Sequence, residues 1–491
     1  MSELEKLEQY QQKITELQYT INVLSWDLKI SCPEKSQDNM IKLITNYENK
    51  LFELTTSSFY GDLLTDAINS EEFNLLEDAE KKYIYNQYKH YTQFIKVPID
   101  FYTKYIELKN KTNVVWKKAK EENNYEMFKP YLKKIIEMTK KYYRYLDNIN
   151  ENLYDVMLNE YETGITCELI DKLFNELKTE IVPLILNQNN KLSTYKYEFT
   201  KEQLIDCGKF LLEYIGFDNK KGLIDIYPHG FTEKMNSNDI RIAIRHSNDP
   251  FDFVTTIIHE GGHAIFEQNI KPNLAFYENH CIDNLYALHE SQSRFFENIL
   301  GRNINFWIPI FDKVKEKLGI EMDVHTFANS LNISVPSLIR VEADELTYCM
   351  HIILRYEIEK DIFNNNLSVD ELPKIWNKKM KEYLGIDVDC DSNGLLQDVH
   401  WSEGSFGYFP SYLLGTIYSG MFKEIIENDL GNIDELLING KIKDITNYLI
   451  KNIYSNGGAY TSLEILNKLY KKELTSEPII KYLKKKYKKQ I

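Results

Sequence analysis

The chain has 491 residues, few glycines and prolines (20 and 12) and a formal charge of −15. The length allows a large core and one to three domains. The acidic balance argues against a general affinity for nucleic acid, and no uninterrupted apolar run reaches the roughly 18 residues of a membrane span.

Few turn-formers imply long elements with few tight hairpins, hence a mainly helical fold. Residues 1–8 are charged and carry no apolar signal core. The six cysteines (Cys32, Cys167, Cys207, Cys281, Cys349, Cys390) are scattered without a C-x-x-C pair. They read as reduced thiols of a cytoplasmic protein. From Glu3 to about Lys209 the pattern predicts successive amphipathic helices. Leu4, Leu7, Tyr10 and Ile14 keep helical spacing, and Pro98 and residues 160–166 mark breaks. With no internal repeat or low-complexity linker, residues 1–491 read as a single domain. Residues 1–210 form its N-terminal helical part, 222–408 the site region and 409–491 the C-terminal helices.

Between residues 222 and 245 the character changes. Leu223-Ile224-Asp225-Ile226-Tyr227-Pro228 and Asp239-Ile240-Arg241-Ile242-Ala243-Ile244-Arg245 are short, β-branched and alternating, and predict strands. An edge strand beside a cleft can bind an extended peptide through main-chain hydrogen bonds. An ordinary hairpin packed on helices fits these residues equally well.

Asn248-Asp249-Pro250 is a helix start, with Asp249 as cap and Pro250 in the first turn. On the helix that follows lies His259-Glu260-Gly261-Gly262-His263, the H-E-x-x-H pattern of zinc peptidases. Residues four apart share a helix face, so both imidazoles reach one metal ion. Glu260 then stands beside the metal as a proton acceptor. The plain alternative is two core histidines with a solvated Glu; ten histidines in 491 residues count against a chance match. Gly261 and Gly262 oppose helix formation, each by about 1 kcal/mol relative to Ala. They require a reason, such as close approach of a substrate or of a packed backbone.

Nine of the ten histidines fall between residues 229 and 400, and six of only seven arginines between 241 and 355. Arg binds a carboxylate through a planar fork that Lys lacks, so this region is the chemical one. Structural ion pairs explain any single Arg as well. A third protein ligand is needed. The metzincin extension fails, because Phe266 and Asn269 stand where Gly and His are required. A Glu from a following helix is the other common solution, and Glu290 in His289-Glu290-Ser291-Gln292 is the choice. Glu297 is an alternative, and Glu267 reads as a residue behind the ligands. Residues 394–420 form a glycine-rich interruption holding five of the twenty glycines. The basic tail, 481–489, reads as a solvated last helix.

Assembled, these residues resemble family M32, the metallocarboxypeptidases of the carboxypeptidase Taq, or thermostable carboxypeptidase, type. The resemblance covers nearly the whole chain. Leu24-Ser25-Trp26-Asp27 with Pro33 resembles the family's Trp-Asp segment. His229-Gly230-Phe231 stands for His-Pro-Phe, and Asp239-Ile240-Arg241-Ile242-Ala243 for Asp-x-Arg-x-Thr. The zinc helix and His289-Glu290-Ser291-Gln292 match. So do Ile339-Arg340-Val341-Glu342-Ala343-Asp344 and Gly394-Leu395-Leu396-Gln397-Asp398-Val399-His400-Trp401. Gly230 for Pro and Ala243 for Thr are departures. They bear on subsite preference more than on catalysis, since ligands and base are intact.

The resemblance implies a mainly α gluzincin, neurolysin-like fold: two helical lobes enclosing a deep groove, with a small β-sheet beside the zinc helix. It implies one Zn²⁺ per chain on His259, His263 and Glu290, replaceable by Co²⁺, and a homodimer acting on peptides with a free C-terminus. Glu260 is then the general base. His400 and Tyr408 are candidates for the oxyanion donors, and Arg340 for the anchor of the terminal carboxylate. An ion pair with Glu342 or Asp344 is the structural alternative for Arg340. His229, Asp239, Arg241 and Asp398 are further expected substrate-binding residues. A zinc oligoendopeptidase is the nearest rival, and a non-catalytic peptide-binding homologue the rival from another class.

Overall fold

The computed structural model describes residues 1–146, 152–188, 190, 195, 197–274 and 285–488; Cys281 lies outside the described residues. The chain opens with α1 (Glu3–Ile30), α2 (Gln37–Thr56), α3 (Ser58–Asn69), α4 (Asp78–Phe94), α5 (Ile99–Glu121), α6 (Tyr125–Leu146), α7 (Leu153–Tyr161), α8 (Cys167–Leu186) and α9 (Lys201–Ile215). Leu7, Tyr10 and Ile14 are buried, as their spacing predicts. Pro98 precedes α5 and Thr166 caps α8. No helix among the described residues is long and apolar enough to cross a membrane, and the five described cysteines are free thiols.

The sheet has three strands, one more than the sequence reading anticipated: β1 (Gly222–Ile226), β2 (Phe231–Asn236) and β3 (Asp239–Ile244), in the order β1-β3-β2. β1 pairs parallel with β3 and β2 antiparallel to it, with a register shift between Lys234 and Asn236. β2 escapes the periodicity argument because only Met235 of its six residues is buried. It is an edge strand with its other face toward the cleft described below.

α10 (Pro250–Gln268) begins where the sequence places it, the Asp249 side chain accepting from Phe251 N at 2.8 Å. α11 (Tyr286–Arg294) runs directly into a π-helical segment, Phe295–Leu300. Short helices α12 (Ile304–Trp307), α13 (Phe311–Leu318) and α14 (Val324–Leu331) follow, then α15 (Tyr348–Asn364), α16 (Leu372–Leu384) and α17 (Phe409–Leu430). The chain closes with α18 (Ile433–Ile438), α19 (Ile442–Asn452), α20 (Ser462–Tyr470) and α21 (Glu477–Tyr487).

Two expectations are corrected. The glycine-rich interruption ends at Tyr408, because Gly415 and Gly420 lie inside α17. A Cβ at Gly420 would lie 2.8 Å from Ile479 N, so this glycine lets α21 approach α17. The last helix is not simply solvated: Ile479, Leu483 and Tyr487 are buried, and Lys486 reaches Glu345 Oε2 at 2.5 Å.

Candidate active site

The two glycines after Glu260 serve packing. A Cβ at Gly261 would stand 2.6 Å from Leu212 Cδ2 and 2.7 Å from Ile215 Cδ1, side-chain ends of α9. At Gly262 it would stand 2.7 Å from Ser293 Cα and 2.8 Å from Gln292 O, the backbone of α11. Beyond α11, a Cβ at Gly415 would stand 2.8 Å from Glu290 Cγ. α11 is therefore wedged between α10 and α17 at a spacing only glycine permits. That spacing carries Glu290 to the histidines.

Gly262→Ala should thus lower Tm and weaken metal binding together. Overpacking against backbone costs about 1–3 kcal/mol, and a displaced α11 moves Glu290. The expected rise in metal Kd is on the order of tenfold or more. Gly261→Ala meets only side-chain ends and should lower Tm with little effect on metal Kd. Calorimetric titration of both variants checks this; unchanged affinity in Gly262→Ala would mean that helix spacing does not set the site.

Glu290 Oε2 lies 3.7 Å from His259 Nε2 and 3.4 Å from His263 Nε2. The donor atoms of these three residues all fall within 4.8 Å of one another. The remaining ring nitrogens are engaged. His259 Nδ1 donates to Glu297 Oε2 at 2.8 Å. His289 Nε2 donates to Glu267 Oε1 at 2.8 Å, and Lys234 Nζ meets Glu267 Oε2 at 2.9 Å. With its Nε2 donating to Glu267, His289 accepts at Nδ1, where His263 Nδ1 donates. Both ligand imidazoles thus turn their Nε2 atoms toward one carboxylate oxygen, an arrangement suited to a divalent cation.

Electrostatics agree. Burial opposes the charge on Glu290, yet Arg294 and His259 hold its carboxyl well below the usual carboxylate range. Arg294 Nε donates to Glu290 Oε1 at 2.7 Å, while Oε2 accepts from Ser293 Oγ at 3.1 Å and faces the histidines. Burial pushes His263 down to about 4, so its ring is neutral near pH 7. Burial also opposes charging His259, but Glu290 and Glu297 outweigh it and raise its pKa. A bound cation would take the place of that proton.

Glu260 is buried, which raises its carboxyl; His259 and a hydrogen bond from Thr232 oppose the rise. The Thr232 hydroxyl, on β2, donates to Glu260 Oε2 at 2.7 Å. The cleft around these residues has a volume of about 1610 Å³, and β2, Arg340, His400, Tyr408 and Tyr412 line it.

The segment bearing His400 is held from several sides. From α5, Trp116 Nε1 donates to Leu396 O at 3.0 Å and Lys120 Nζ to Gln397 O at 2.8 Å. Gln397 Oε1 accepts from Arg340 N at 2.8 Å. Trp401 Nε1 donates to the buried Glu359 at 2.7 Å. Arg340 is buried and pairs with Asp398 rather than Glu342 or Asp344. Its Nε and Nη2 donate to Asp398 Oδ1 at 3.0 and 2.9 Å, and its Nη1 to Tyr348 OH at 3.1 Å. Arg355 takes the other oxygen, with Nε 2.7 Å from Asp398 Oδ2. One carboxylate between two guanidiniums leaves a surplus positive charge.

The other expected residues are placed less centrally. His229 lines the cleft, its ring 5.3 Å from that of Tyr227. Asp239 and Arg241 pair with each other, Nε to Oδ1 at 3.0 Å and Nη2 to Oδ2 at 2.8 Å, and are not among the cleft-lining residues. The Arg241 guanidinium lies 5.8 Å from the Trp26 ring, so this pair ties α1 to the sheet. Ala243 is buried in a small apolar cluster with Trp26 and Met235. Glu297 and Glu267 stand behind His259 and His289. Thr232 and Lys234 were not anticipated; they reach the site from β2, and no helical spacing relates them to it. Glu297 had a signal, since it follows Glu290 by seven residues on the same helical course.

The sequence of residues 6–487 matches the model of carboxypeptidase Taq (M32) metallopeptidases. Carboxypeptidase 1 of Bacillus subtilis is 36% identical over 486 residues, 97% of this chain and 96% of the relative. Thermostable carboxypeptidase 1 of Pyrococcus furiosus is 30% identical over 492 residues, 95% of this chain and 94% of the relative. A solved M32 carboxypeptidase from Deinococcus radiodurans superposes with a TM-score of 0.92 at 25% identity, covering 99% of both chains.

Proposed function

This chain belongs to the carboxypeptidase Taq (M32) metallopeptidase family, and on that premise we propose that it removes C-terminal residues with Zn²⁺ on His259, His263 and Glu290 and with Glu260 as general base. The observation that carries the reading is the pair of Nε2 atoms 3.7 and 3.4 Å from one oxygen of Glu290, with Glu260 next in sequence to a ligand. Two imidazoles and a carboxylate suit zinc, with cobalt as a substitute. The ion, when bound, supplies a Lewis acid for the scissile carbonyl and lowers the pKa of a water.

The residues do the rest. Glu260 takes the proton of the attacking water and passes it to the leaving amine. Burial lowers His400 to about 4 and raises the Tyr408 hydroxyl well above its ordinary value. Near neutral pH both are uncharged and each holds a proton to donate toward a developing oxyanion. Tyr412 OH lies 3.4 Å from His400 Nε2, while His400 Nδ1 has no partner among the described residues. Arg340 binds the substrate's terminal carboxylate. Asp398 takes the Nε–Nη2 edge and Tyr348 one hydrogen of Nη1, so Nη1 and Nη2 each keep a further hydrogen for the carboxylate oxygens. Asp398 orients Arg340, His229 stands beside the substrate on the β2 side, and Asp239 and Arg241 act at one remove by fixing α1. The family resemblance further supports two helical lobes around the groove and a homodimer.

Mass spectrometry of a peptide mixture, each sequence as free acid and as amide, tests the function. The expected result is a ladder from the C-terminus on free acids only, lost in chelator and restored by Zn²⁺ or Co²⁺. Internal fragments from amides would select the oligoendopeptidase reading.

A further inference from the structure

The general base needs its carboxylate held, and the helix that carries it does not do the holding. We propose that Thr232 is the positioning residue for Glu260, fixing one carboxylate oxygen so that the other is free for the proton. The proposal rests on the reading of Glu260 as base. The Thr232 hydroxyl donates to Glu260 Oε2 at 2.7 Å and also lies 3.1 Å from the Glu260 backbone oxygen. The hydroxyl therefore sits over one peptide of α10 with an acceptor available whether or not Oε2 carries the proton. Thr232 itself is fixed, since it pairs with Ile242 in the antiparallel ladder.

The opposite oxygen is confined by the residue just before that strand. A Cβ at Gly230 would lie 3.0 Å from Glu260 Oε1 and 2.7 Å from Thr256 Cγ2, the side chain one turn before Glu260. The absent side chain at Gly230 leaves Oε1 its room, and the backbone before β2 closes over it. The glycine that departs from the family's His-Pro-Phe pattern therefore borders the base, not only a subsite. A carboxylate with one oxygen bonded and the other in a tight slot has few rotamers left to lose on reaching the transition state.

Thr232→Val keeps the shape and removes the hydroxyl; Thr232→Ser keeps the hydroxyl. Steady-state kinetics on a synthetic free-acid pentapeptide, with metal content measured in parallel, should give a kcat lowered by about ten- to a hundredfold in Thr232→Val. KM and metal content should be retained, and Thr232→Ser should stay close to wild type. If Thr232→Val does not fold, Thr232→Ala supplies the second hydroxyl-free variant. In a Glu260→Gln background the same change should add little, because Thr232 acts through that carboxylate. Wild-type kcat in Thr232→Val, equal losses in Val and Ser, or a full loss persisting beside Glu260→Gln would each overturn the proposal. Undiminished turnover in Glu260→Gln alone would instead remove the base reading, and the proposal with it.

Discussion

Glu260→Gln is expected to lower kcat by on the order of 10²–10⁴-fold with the metal still bound. The amide keeps the volume of the carboxylate and its oxygen can still accept from Thr232, now at 2.7 Å from Oε2. What is lost is the capacity to take a proton. The ligand cluster consists of His259, His263 and Glu290 without Glu260, so metal stoichiometry should hold. Atomic emission for metal and steady-state kinetics on a purified variant check both halves. Near-normal turnover would sink the mechanism; lost metal would mean that Glu260 helps to build the site.

Arg340→Ala should lose on the order of 10²-fold or more in kcat/KM on free-acid peptides, since truncating one partner of a desolvated charge pair costs roughly 2–5 kcal/mol. The fold should survive. Asp398 keeps Arg355, whose Nε and Nη2 lie 2.7 and 2.6 Å from Oδ2, so no carboxylate is orphaned in the core. Arg340→Lys should recover only part, because an ammonium cannot span Asp398, Tyr348 and a substrate carboxylate together. The decisive comparison crosses wild type and Arg340→Ala with free-acid and amidated peptides. The two losses should overlap, since each removes the same contact. Simple additivity would leave Arg340 as a structural partner of Asp398.

The metal helix was readable because its chemistry is local. A cap, a proline and two histidines four apart need nothing beyond one turn of helix, and α10 begins where they place it. Glu290 was readable from its own following helix. The reason it meets the histidines lay in Gly262 and Gly415, residues whose meaning depends on what touches them and not on their neighbours in sequence. β2 was missed because its residues are neither apolar nor cleanly alternating; the strand is held by its pairing with β3 and serves the cleft with polar side chains. Arg340 stands out in the sequence beside Glu342 and Asp344, but its partner is Asp398, 58 residues on. Long-range polar partners of this kind have no period in the sequence.

The line from His263 through His289 and Glu267 ends on Lys234, a side chain of the cleft wall. An outer partner of a metal ligand thus sits where a protein engineer would begin to alter substrate preference. Libraries that vary β2 and score activity alone would mix two phenotypes, altered choice of peptide and altered occupancy of the ion. Scoring at a saturating concentration of the metal separates them.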